Sequence, residues 1–270
     1  MSLSPRRMIN STPEGSTSTK CVSSPADSSD WKPLVLVVSE EGPGRDSITS
    51  AVAGNKHANV LFDIASQSTI LELKLSECVH HLHEYTHAII VIDEWIRRSC
   101  NIPIWEKLIE YMQDGGTVIF LGDFALFLDQ DYYEFLPAID FFEKSGNSWE
   151  RGECMRTTVF VNNEDEIIPK NYQQLIPPTL DVHGRFLTGV TPKQVWYQPN
   201  SVSVTEPQSV LGYYSRPVDP KQIPVALASV GKGKMGYIGA FHDNPQLSPV
   251  LAVMCDLSNV YEVQEDEEIF

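Results

Sequence analysis

The sequence predicts an α/β fold: one domain on a mostly parallel, doubly wound sheet, with a β-hairpin late in the chain. Three observations carry this. Residues 33–39 (PLVLVVS), 87–93 (HAIIVID) and 117–121 (TVIFL) are short runs of aliphatic and β-branched residues, the pattern of strands buried on both faces. Segments with helical spacing and Gly-marked ends separate them. Near the end, residues 224–229 and 235–241 form two further apolar runs. The turn Gly231-Lys232-Gly233-Lys234 joins them, as in a hairpin.

Taken in order, residues 1–31 are rich in Ser, Thr and Pro and poor in large apolar groups, so burial cannot offset their ordering entropy. They read as a disordered tail. The strand over 33–39 is followed by the loop Glu40-Glu41-Gly42-Pro43-Gly44. Weak helical spacing over 46–53 has Asp46 as its cap. Residues 59–64 (NVLFDI) read as a second strand and 76–82 as a short helix. The strand over 87–93 ends on Asp93-Glu94-Trp95. Ile104, Leu108, Ile109 and Met112 recur at helical intervals, and Asp114-Gly115-Gly116 stops that helix. The strand over 117–121 ends on Gly122-Asp123-Phe124. Strands and helices alternating in this way imply right-handed crossovers between parallel strands.

Beyond this the pattern loosens. Residues 132–144 read as a helix interrupted by Pro137, and 156–162 as a strand. The Pro-rich stretch 168–220 reads as long connections, with a further strand over 210–215. The hairpin follows; its small residues Gly236, Gly239 and Ala240 imply that something presses closely on that backbone. A closing helix spans 249–257, which sets the domain at 32–258 and leaves an acidic tail at 259–270.

With 270 residues there is ample chain for a core. A net charge of −16 argues against nucleic acid or an anionic membrane as partner. No run of about eighteen apolar residues suggests a membrane span. Arg6 and Arg7 are not followed by the apolar region of a secretory signal. Five cysteines without CxxC spacing point away from a disulfide framework or zinc ribbon, toward a reducing compartment, the cytoplasm or nucleus.

Four buried strands, a Gly-Gly turn before the fourth, and a late Gly-Lys-Gly turn leading to Tyr-Ile-Gly-Ala-Phe-His-Asp-Asn together resemble the class I glutamine amidotransferase-like superfamily, flavodoxin-like in strand order. The nearest branch is the trehalose-utilisation (ThuA-like) one. The resemblance covers residues 32–257 and implies fold more than function. It also implies a Cys nucleophile on the turn after the strand over 117–121. That turn reads Leu121-Gly122-Asp123-Phe124-Ala125, with neither Cys nor Ser. His242 falls on the family's catalytic His, whereas Asn244 stands where its orienting Glu would be. Glutamine hydrolysis is therefore not expected.

The candidate catalytic residues are His242, Asp243 and Asp123: an imidazole beside a carboxylate can act as base, acid or ligand. Asp93, Glu94, Trp95 and Glu40, at other strand ends, are the candidate ligand-binding residues, an acid pair under an aromatic platform. The bland readings are helix caps and a half-buried Trp. His80, His81, His83 and His87 read as a polar helix end, not a metal site, because His87 already begins a strand. The Gly231–Lys234 turn lacks the strand–loop–helix setting of a phosphate loop. No cofactor and no metal are expected. Two functions fit: a non-catalytic module for binding or scaffolding, or a ThuA-like enzyme acting on a sugar or similar polar metabolite. The partner is accordingly a protein or a small polar metabolite, and a homo-oligomer is compatible with the sequence.

Overall fold

Leu34–Ser39 (β1) buries Val35, Leu36, Val37 and Val38. Successive strand side chains point to opposite faces, so such a strand needs cover on both. A computed structural model supplies that cover. It describes residues 32–39, 58–82, 86–128, 134–164, 166–206, 215–241 and 244–257. After β1 come α1 (Ala58–Gln67), β2 (Thr69–Lys74), α2 (Leu75–Cys78), β3 (Thr86–Val91) and α3 (Ile102–Asp114). Then follow β4 (Thr117–Phe120), α4 (Asp123–Leu126), α5 (Ala138–Glu143), β5 (Glu150–Val161) and α6 (Lys170–Gln173). The chain continues through β6 (Thr179–Thr188), β7 (Val195–Gln198), β8 (Val225–Val230), β9 (Gly233–Ile238) and α7 (Leu247–Met254).

The nine strands form one sheet in the order β2-β1-β3-β4-β9-β8-β7-β5-β6. From β2 to β9 every pairing is parallel. From β9 to β6 every pairing is antiparallel. Val35, Val37, Ala88, Ile90 and Ile119 meet α1 and α7 on one face. Leu36, Val38, Ile89, Val91, Val118 and Phe120 meet α3 and α5 on the other. Trp105 of α3 stacks on Phe141 of α5, with ring centroids 4.3 Å apart, and its indole N–H donates to the Phe141 carbonyl at 3.1 Å. The parallel core is thus as expected, and the antiparallel half extends it.

Three sequence readings need correction. Residues 59–64 are not a strand: they belong to α1, where Val60, Leu61 and Ile64 share one helical face. The second strand is β2 instead. Residues 168–220 are not only connections, since they contain β6 and β7. Among the described residues the helix expected over 132–144 begins at Ala138, because Pro137 is extended (ψ 149°). The helix expected over 46–53, the tails 1–31 and 259–270, and the strand over 210–215 apart from Ser215 lie outside the described residues.

The β8–β9 hairpin is confirmed, closing at Val230–Gly233. Its turn rests on the end of α3, where the Lys232 N–H donates to the Gln113 carbonyl at 3.1 Å. The close approach expected at Gly236 and Gly239 is also present. An added Cβ on Gly236 would lie 2.4 Å from Ile119 Cδ1 and 2.7 Å from Met254 Cε. At Gly239 the neighbour is β6. The Arg185 N–H donates to the Gly239 carbonyl (2.9 Å), and the Phe241 N–H donates to the His183 carbonyl (3.0 Å). Through these bonds β6 turns back onto the end of β9.

Candidate functional site at the ends of the parallel strands

The parallel pairing of β3 and β4 brings their carboxyl ends side by side, which is where open α/β sheets place ligands. The Phe124 N–H donates to the Ile92 carbonyl at 3.1 Å and ties the two turns together. Asp93 and Asp123 leave these adjacent ends.

Asp93 caps the 3₁₀ turn Glu94–Arg97, its Oδ1 accepting the Trp95 N–H at 3.2 Å. Glu94 is half-buried. Burial raises its carboxyl pKa, the nearby Asp123 carboxylate adds to the rise, and its own backbone N–H, Arg97 and Arg98 oppose it. Glu94 and Asp123 are therefore close enough for their charges to interact. Asp123 is the first residue of α4. Gly122 before it has φ 72° and ψ −132°, the left-handed kink that lets the chain reverse sharply from strand to helix.

Trp95 carries the Arg98 guanidinium over one face, 3.5 Å from the ring centroid. Phe135 lies 6.0 Å from Trp95, centroid to centroid, and Arg98 forms an ion pair with Glu134 at 3.5 Å. That face of Trp95 is therefore covered by Arg98.

Arg97 is fully buried. Its Nε and Nη2 donate to the Leu136 carbonyl at 3.1 and 3.0 Å, and its Nη1 donates to the Phe127 carbonyl at 3.0 Å. These charge-assisted bonds fasten residues 134–136 beside the rim. Sequence reasoning passed over Arg97, Arg98 and Phe135. The available signal was a pair of arginines two and three residues after Trp95, at a buried strand's end.

His242, Asp243 and Glu40 lie outside the described residues, as does His83. Asn244 donates from Nδ2 to the Asp181 carbonyl at 3.1 Å and accepts the Gln246 N–H at 3.0 Å. It anchors the entry to α7. Burial pushes the thiols of Cys78 and Cys255 up to about 12, so neither supplies a thiolate near neutral pH. Among the described residues no group of three or more His, Cys, Asp or Glu is placed to hold a metal ion. Among them, too, no helix is long and apolar enough to cross a membrane.

These features define a mixed α/β protein with an acid-bearing rim at the parallel strand ends. No protein-family model matches the chain, and no curated protein is similar to it. Among solved structures, it resembles the β-galactosidase from Bacillus circulans sp. alkalophilus at 10% identity and a TM-score of 0.49, covering 83% of this chain and 31% of that one. It also resembles the N-terminal domain of mmIFT52 at 14% identity and 0.49, covering 83% and 96%. A putative ThuA-like protein from Bacteroides uniformis is similar at 12% identity and 0.47, covering 86% and 94%. The chain spans only 31% and 32% of the first two β-galactosidases it resembles. At these identities and scores the likenesses decide neither family nor activity.

Proposed function

We propose that the chain is a non-catalytic class I glutamine amidotransferase-like domain, used for binding or scaffolding in an intracellular, cytoplasmic complex. The observation that carries this reading is the turn after β4. A sharp strand-to-helix turn lifts one residue out of the sheet, where a nucleophile would be presented. Here the left-handed position is Gly122, which has no side chain. Asp123 falls one residue later, inside the helix. Three further observations support the reading. Asn244 is engaged in holding the chain to β6 and α7. Two cysteines are held protonated by burial. Arg98 covers one face of Trp95. The order β2-β1-β3-β4-β9 supports the flavodoxin-like assignment of the parallel half.

The second reading is a ThuA-like enzyme acting on a sugar or similar polar metabolite through His242, Asp243 and the strand-end carboxylates. It draws on the coupling of Glu94 with Asp123. The two are separated by incubating the full chain with glutamine and with a panel of mono- and disaccharides, following products by NMR. No turnover above buffer is expected. Asp123→Ala and His242→Ala should retain the same protein partners in affinity purification. Turnover that disappears in Asp123→Ala would establish the enzyme reading and remove the binding one.

A further inference from the structure

We draw no further inference here: the strongest candidate, the outer edge of β2 at the end of the sheet, where Ile70 and Glu72 are half-buried, pairs with no further strand among the described residues, and nothing in the structure shows what covers it.

Discussion

At Gly184 an added Cβ would lie 1.9 Å from the Gly239 carbonyl oxygen, and at Gly239 it would lie 2.0 Å from the Arg185 carbonyl oxygen. Backbone, not a flexible side chain, stands in the way, so neither position can give without moving a strand. Gly239→Ala should therefore destabilise the protein by about 3 kcal/mol, at the upper end of overpacking costs, as read from urea unfolding. A loss under about 0.5 kcal/mol would mean that β6 does not rest there. Glu94 makes a different prediction. Its pKa is raised on folding from an ordinary value of 4.5, so the folded state holds that proton more tightly than the unfolded chain does. Its stabilising contribution is complete below 4.5 and is lost as pH rises through the raised folded value. Glu94→Gln should flatten the dependence of the urea midpoint on pH across that window and raise the midpoint at pH 7. A midpoint at pH 7 equal to or below that of the parent protein would sink this account.

Elements show which local signals could be read from the chain. Residues 59–64 resemble a strand because Asn-Val-Leu-Phe-Asp-Ile is dense in β-formers. What decides for helix is the cover α1 gives α7: Ser248 Oγ donates to Asp63 Oδ2 at 2.6 Å, a contact 185 residues apart in sequence. No window of local sequence carries that. β2 was hidden for the opposite reason, as an outer strand whose Glu72 and Lys74 break the apolar run. β6 and β7 were hidden by the prolines around them, although Leu180, Val182 and Phe186 alternate as a half-buried strand should. The hairpin and the carboxyl ends of β3 and β4 were legible, since continuous apolar runs and Gly-marked turns are local. The bulge in β5 between Arg151 and Cys154 was not, because it exists only as a mismatch in register with β6.

One further element is held by a polar hub. Trp149 Nε1 and the Thr191 N–H both donate to Gln194 Oε1, and Gln194 Nε2 donates to Asn147 Oδ1 at 2.8 Å. Trp149 is fully buried, so Gln194→Ala leaves its indole N–H unpaired. The expected cost is about 2 kcal/mol in urea unfolding. A cost within about 0.5 kcal/mol would show that water replaces the amide.

At the scale of the whole molecule the sheet has two characters. The parallel half is sandwiched between helices and carries the acid rim, whereas the antiparallel half turns β6 back onto the end of β9. Among the described residues both cores run from Leu34 to Leu257. A chain of residues 32–258 should then fold alone, as the proposed domain. Its thermal transition should be single and within about 4 °C of that of the full chain, the shift that about 1 kcal/mol produces in a protein of this size. The contrast is a chain ending at residue 243. It lacks α7, whose Val250, Leu251, Val253 and Met254 are buried against β1, β3 and α1, and whose Met254 abuts Gly236 of β9. Removing four such side chains forfeits roughly 6–12 kcal/mol of apolar burial, comparable to the whole stability of a domain. The shorter chain should therefore show no cooperative transition. If it melts cooperatively near the full chain's temperature, the α1–α7 layer is not what closes that face of the sheet, and the helix assigned to residues 58–67 loses its physical reason.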